Sequence, residues 1–297
     1  MNIVLCGDKN VLGIGSITIL SLISHCDTHK QYNIHFLHSG DCPMDMLLKL
    51  KSIGTQNVKI NLVNMEKYDK SLSDIDTKRY KTPSLYRLVL PEVFPNLDKV
   101  LYLDTDILVR EDISKLFDIE LKNDNWLIAA HINPHIYTMV KNMFAEKRSD
   151  FNSGVLLINL NEWRKRNIQH KVIELLRNDV YSTPDQTVLS IACHGFIEQL
   201  PLTWNHYPIF NRNANIVHFQ MNSVKYLPLS NKYKREWIKY AIMSPFEFDF
   251  VEYNTGTIYA ACAILIILLC MCVGYVLWKC VRCSSESVMK QSLQHNT

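Results

Sequence analysis

The chain has 297 residues, enough for one large domain or two small ones. Its 32 Lys and Arg nearly balance 29 Asp and Glu, leaving a formal net charge of +3 at pH 7. That balance, with no long basic block before residue 250, argues against a nucleic-acid partner.

In chain order, Ile3–Cys6 is an apolar strand, and Gly7-Asp8-Lys9-Asn10 forms a turn at its carboxyl end. Val11–His25 carries apolar residues at helical spacing. Asn33–Leu37 predicts a second strand, Met44–Ile53 a helix, and Val58–Val63 a third, alternating strand. This β-α-β-α-β opening predicts a parallel sheet with helices on both faces. No G-x-G-x-x-G follows the first strand, so the dinucleotide-binding fingerprint is absent. Asp8 and Asn10 end that strand, where such sheets bind ligands, and can meet the base and ribose of a nucleotide. An ordinary helix cap is the other reading.

Pro83–Glu92 predicts a helix with proline in its first turn, carrying Tyr86 and Arg87. The planar fork of Arg87 suits a phosphate or a sugar hydroxyl, or else a structural ion pair. The strongest stretch follows. Val100–Leu103 is an apolar run, Asp104-Thr105-Asp106 interrupts it, and Ile107-Leu108-Val109 resumes it. Carboxylates beside a buried strand are costly unless a cation or partner offsets them. Residues i and i+2 of an extended segment share a side, so Asp104 and Asp106 can bind one metal ion together. A second D-x-D, Asp74-Ile75-Asp76, lies in a polar stretch with no strand before it and reads as a solvated loop.

Trp126–Ala130 predicts a strand and Pro134–Ala145 a helix. Phe151–Leu160 is a buried strand whose opening, Asn152-Ser153-Gly154, lets a ligand approach the backbone closely. Trp163 reads as core. Thr183-Pro184-Asp185-Gln186 opens a helix through Cys193, with Asp185 and Gln186 in its first turn. Ile216–Phe219 is a short strand bearing His218, which is either a satisfied core histidine or a ligand. Lys225 stands seven positions later, and Lys232–Met243 is an amphipathic helix.

Ile258–Trp278 is 21 residues without a charge. As a helix it would be about 31 Å long, the thickness of a hydrocarbon core. The expected organisation is a domain over 1–245, a linker over 246–256, a transmembrane helix over 257–278 and a short basic tail over 279–297. Glu247, Asp249 and Glu252 before the span, against Lys279, Arg282 and Lys290 after it, favour a cytosolic tail. That conflicts with the N-terminus, which does not read as a secretory signal, and with the lack of an N-x-S/T sequon; of the two orientations, the expectation is a tail-anchored protein with a cytosolic domain. Cys6, Cys26, Cys42 and Cys193 lack paired spacing and read as buried thiols. Cys280-Val281-Arg282-Cys283 lacks the second pair that a zinc site needs, and juxtamembrane acylation is open to it.

Asn2–Asn10, Tyr86-Arg87-Leu88, Asp98–Arg110, Phe151–Trp163, Asp185-Gln186 and Val217-His218-Phe219, in this order, resemble the family-8 retaining glycosyltransferases over about residues 1–227. The resemblance implies an α/β, GT-A (Rossmann-like) nucleotide-diphospho-sugar transferase domain. It implies hexosyl transfer from a UDP-sugar to the hydroxyl of a glycan, lipid or protein acceptor. It further implies Mn²⁺ (or Mg²⁺) held by Asp104, Asp106 and His218, and donor contacts from Asp8, Asn10, Arg87, Thr105 and Lys225. Asn152, Asp185 and Gln186 match the residues around the donor sugar. In that family a glycine and then Lys-Pro-Trp follow the histidine, with the lysine six places on. Here the glycine is missing, Lys225 is at seven, and Tyr226-Leu227 come next. A weak or inactive, membrane-anchored nucleotide-sugar-binding or interaction protein is the alternative reading.

Overall fold

The computed structural model describes residues 1–77, 80–119, 121, 127–131, 151–209, 213–220, 223–250, 265–271 and 273–275. The chain divides into two compact units, one over Met1–Ser223 and Asn231–Phe248, the other over Val224–Ser230 and from Asp249 onward.

In the first unit, short apolar runs become strands covered on both faces. β1 (Asn2–Gly7) leads through α1 (Leu12–Ile23) to β2 (Tyr32–His38), then through α2 (Met44–Lys51) to β3 (Val58–Asn64). α3 (Glu66–Leu72) and a 3₁₀-helix, Thr82–Leu88, precede α4 (Leu90–Val93) and β4 (Lys99–Leu103). β5 (Ile107–Val109), α5 (Ser114–Phe117) and β6 (Ile128–His131) follow. Next come β7 (Asn152–Asn159), α6 (Leu160–Lys165), α7 (Ile168–Asn178) and α8 (Pro184–Ala192). β8 (Ile197–Gln199), β9 (Ile216–His218) and α9 (Lys232–Met243) come last.

Seven strands form one sheet in the order β3-β2-β1-β4-β7-β6-β8, while β5 and β9 form a separate antiparallel pair. β1 runs parallel to β2 and β4, and β2 to β3, as the opening of the chain predicts. β7 corrects the expectation of a parallel sheet. It is antiparallel to both β4 and β6, with Leu103 opposite Val155. A strand buried on both faces carries no sign of its direction, and Val155–Ile158 are all buried. The connections reverse between β1 and β4, so their carboxyl ends form a topological switch point, where open α/β sheets bind ligands. Val4, Val100, Tyr102 and Leu156 enter one apolar cluster, and Ile3, Leu5, Leu101 and Leu157 the other. This is the period-2 alternation of strands with both faces covered.

Other expectations shift. The predicted Pro83–Glu92 helix is two pieces, a 3₁₀-helix and α4, because Pro91 has no N–H with which to continue the first. The Ile216–His218 strand stays out of the main sheet and pairs with β5. Asp74 and Asp76 are exposed on a loop, with Asp74 3.4 Å from Arg177. Trp163 is fully buried and donates its indole N–H to the Leu127 carbonyl at 3.0 Å. Trp126 and the predicted Pro134–Ala145 helix lie outside the described residues, as do Cys280 and Cys283. Of the expected membrane span, residues 265–271 and 273–275 are described; they are helical and exposed. Among the described residues no helix is long and apolar enough to cross a membrane.

Cys6 and Cys193 are buried, but Cys26 and Cys42 are only half-buried, which corrects the reading of four buried thiols. Burial pushes the Cys193 thiol up to about 12, so it holds almost no thiolate at neutral pH. Iodoacetamide at pH 8 is expected to spare Cys6 and Cys193 in the native protein, to label Cys26 and Cys42 in part, and to label all four in urea. Peptide mass spectrometry reads the pattern, and native labelling of Cys193 at the urea rate would contradict the fold.

Candidate active site

β4 ends at Leu103, and the chain bends so that Asp104 and Asp106 stand at the sheet's carboxyl edge. Asp104 is held from several directions. Its N–H donates to the Gly154 carbonyl at 2.8 Å. Its Oδ1 accepts from Arg87 Nη2 and from the Tyr102 hydroxyl, each at 2.8 Å. Its other oxygen, Oδ2, lies 3.5 Å from His218 Nε2, and Asp106 Oδ1 lies 3.1 Å from the same nitrogen. The β5–β9 pairing sets Ile107 opposite His218, and Phe219 N–H donates to the Asp106 carbonyl at 2.9 Å. Gly154 makes room for this meeting, since a Cβ there would lie 2.1 Å from His218 Cε1 and 2.7 Å from Asp104 Oδ2. Thr105 is tied to α1 through its carbonyl, which accepts from Thr18 Oγ1 at 2.6 Å.

Arg87 is buried beside this cluster. Nη1 donates to the Ser153 carbonyl at 2.7 Å and lies 3.2 Å from Asp185 Oδ2. Asp185, in the first turn of α8, also accepts from Ser153 Oγ at 2.8 Å and is 5% exposed. Asn152 Nδ2 donates to Gln186 Oε1 at 3.3 Å, and Asn152 Oδ1 accepts from Asn205 Nδ2 at 2.8 Å. Asn205 Oδ1 in turn faces His218 Nδ1 at 3.0 Å.

At the end of β1, Asp8 Oδ1 accepts from the Asn10 N–H at 3.0 Å. Its Oδ2 accepts from Asn10 Nδ2 at 2.9 Å and from Lys81 Nζ at 2.5 Å. Burial raises the Asp8 pKa, but the bonds from Lys81 and Asn10 outweigh it and hold the carboxyl below its usual range. The structure thus joins Asp104, Asp106, His218, Arg87, Asp185, Asn152 and Gln186 in one network, and Asp8 with Asn10 in a turn on the same sheet edge. Lys225 belongs to the second unit, on a 3₁₀ turn over Ser223–Tyr226, and remains a sequence-level expectation. Sequence reasoning missed Asn205, Lys81 and the hydroxyl of Tyr102. None of them carries a local signal, because each acts on a group brought to it by folding or lies inside a buried strand.

Carboxylate oxygens of Asp104 and Asp106 and one nitrogen of His218 all lie within 4.8 Å of one another. Burial opposes the imidazolium of His218, yet the carboxylates of Asp106 and Asp104 prevail and raise its pKa. A place that draws a proton between two carboxylates is also a candidate site for a divalent cation.

The profile described as glycosyl transferase family 8 matches residues 2–226. The chain is 25% identical over 215 residues to general stress protein A of Bacillus subtilis, an alignment covering 69% of this chain and 73% of that protein. It is 29% identical over 213 residues to glycosyltransferase GlyF of Streptococcus pneumoniae, covering 69% of this chain and 48% of that one. It therefore spans about half the length of GlyF. The crystal structure of the galactosyltransferase LgtC in complex with donor and acceptor sugar analogs matches with a TM-score of 0.68. Its identity is 21%, and the match covers 84% of this chain and 98% of that one, a likeness of fold.

Two substitutions test the geometry. Gly154→Ala is expected to displace His218 and to destabilise the first unit by about 1–3 kcal/mol through overpacking. Arg87→Met, which strands Asp185 without its cation, is expected to cost about 3 kcal/mol. Urea midpoints measure both, and parental midpoints would contradict the arrangement.

Proposed function

Because the chain belongs to glycosyl transferase family 8, we propose that it moves a hexosyl group from a UDP-sugar to an acceptor hydroxyl, with a divalent cation and with retention of configuration. The observation that carries this reading is the convergence of Asp104, Asp106 and His218 at the switch-point edge of the sheet. The bond between the anomeric carbon and the UDP oxygen breaks, the acceptor oxygen bonds to that carbon on the same face, and the acceptor's hydroxyl proton leaves with the departing UDP. A cation bound by Asp104, Asp106 and His218, Mn²⁺ or Mg²⁺, would offset the negative charge that gathers on the departing diphosphate.

The remaining roles belong to the protein's own groups. Arg87 stays charged and fixes one oxygen of Asp104, which leaves the other toward the cation site. Asp185 acts on this reading as a positioning residue. Its carboxylate is held by Arg87 and Ser153, which suits it to aligning Arg87 rather than to attacking the sugar. Asn152 and Gln186 offer amides to the hydroxyls of the donor sugar. Asp8 and Asn10 receive the nucleoside, and Thr105 completes the donor site. The uncharged stretch 258–278 supports a further proposal, that the domain is tethered to a membrane.

The departure from the family pattern after His218 favours a second reading, binding of the nucleotide sugar without turnover. One experiment separates the two. Purified protein given a panel of UDP-sugars is expected to release UDP when Mn²⁺ is present and to stop on chelation. Asp104→Asn and Asp106→Asn are expected to lower that rate at least about 100-fold, the scale of losing one charge-stabilising group. Mn²⁺-dependent UDP binding with no release from any UDP-sugar would select the second reading.

A further inference from the structure

The buried amide of Asn205 is used at both ends, by partners that determine which end is which. The Gly154 N–H can only donate, and it reaches Asn152 Oδ1 at 3.0 Å. The group of Asn205 aimed at that same oxygen from 2.8 Å is therefore its NH₂. The atom that faces His218 Nδ1 at 3.0 Å is then its carbonyl oxygen. A carbonyl only accepts, so His218 Nδ1 carries the hydrogen. A second backbone group agrees. The Ser153 N–H donates to Gln186 Oε1 at 3.2 Å, and the same oxygen accepts Asn152 Nδ2. The orientations of three side-chain amides and the tautomer of one imidazole thus follow from two backbone N–H groups of β7.

We propose that Asn205 is a positioning residue, which holds His218 as the Nδ1–H tautomer so that Nε2 presents its lone pair to a divalent cation beside Asp104 and Asp106. The proposal rests on the metal reading of the site given above. Which ring nitrogen binds a metal is set by the hydrogen bond that the other one makes. Here that bond comes from a residue 4% exposed, thirteen positions before the histidine, whose orientation is already spoken for. The same amide ties the metal ligand to Asn152 and Gln186. A cation that settles on His218 therefore also steadies the side chains offered to the donor sugar.

Two variants separate this role from a general structural one. Asn205→Asp keeps an acceptor facing His218 but cannot donate to Asn152, whereas Asn205→Ala keeps neither. Nitrogen-15 NMR of the metal-free parent, with His218 neutral, is expected to show Nδ1–H, and Asn205→Ala to show a mixture of tautomers. Mn²⁺ titrated alone, with the free ion read by EPR, is expected to bind Asn205→Ala about 10–100-fold more weakly than the parent. Asn205→Asp, if the role is positional, binds it at least as tightly as the parent. Urea midpoints establish that both variants are folded. A parent that binds no Mn²⁺ would remove the metal reading itself. A parent that binds it with His218 as the Nε2–H tautomer would overturn the role of Asn205 alone. So would an Asn205→Ala variant that matches the parent, or one that Asn205→Asp does not outperform.

Discussion

One buried guanidinium holds the working edge of the sheet together. Arg87 donates to the Ser84 carbonyl within its own turn at 3.1 Å and to the Ser153 carbonyl at the start of β7. It pairs with Asp104 after β4 and with Asp185 at the start of α8. Its plane also lies over the Tyr102 ring, 4.3 Å from the centroid. Burial disfavours the charge, but Asp104 and Asp185 outweigh burial and raise the pKa of Arg87. An ammonium could not serve these partners, because its donors do not spread in a rigid plane. Charges taken out of water return little net stability even when well paired. The clamp therefore matters most as a specification, since it leaves one arrangement for a strand end, a helix start and a carboxylate.

The direction of two strands does the rest. β7 runs against β4, so its first residues lie at the end of β4 where Asp104 stands. A parallel β7 would carry Asn152, Ser153 and Gly154 to the opposite edge of the sheet, far from the aspartates. β9 runs against β5, which brings its last residue, His218, to the start of β5 beside Asp106. Gly154 then completes the approach, because any side chain at that position would occupy the space of the imidazole. His218 thus reaches the two aspartates from a distant part of the chain through the β5–β9 pairing, into the space that the β4–β7 pairing and the missing Cβ of Gly154 leave open.

This explains which parts of the site could be read in advance. Asp104 and Asp106 declare themselves, since carboxylates set between two apolar runs contradict their surroundings. The same triplet at Asp74 and Asp76 lacks that contradiction, and those side chains are exposed. Buried strands are legible from their composition, and the turn of Pro184 into α8 from its proline. The direction of β7 was not legible, because a run covered on both faces looks the same either way. Asn205 and Lys81 were hidden for another reason. Asn205 meets Asn152 across 53 positions and Lys81 meets Asp8 across 73, and nothing local to either residue records the partner. Polar residues that act by fixing another side chain are visible only once the chain is folded.

The charges of the site also argue for what it is built to hold. Asp104, Asp106 and Asp185 face Arg87 and His218 within one connected network. With a proton on His218 the cluster has one negative charge in excess, and without it two. On the proposed metal reading, a divalent cation in place of that proton would bring the same five groups to neutrality. Sharing the excess among buried and half-buried carboxylates is costly, and the carboxylates of Asp106 and Asp104 outweigh burial at His218, so its pKa rises instead of falling. On that reading Asn205 would decide where the replacement occurs. By keeping a hydrogen on Nδ1 it leaves Nε2, between the two aspartates, as the nitrogen that a metal would meet.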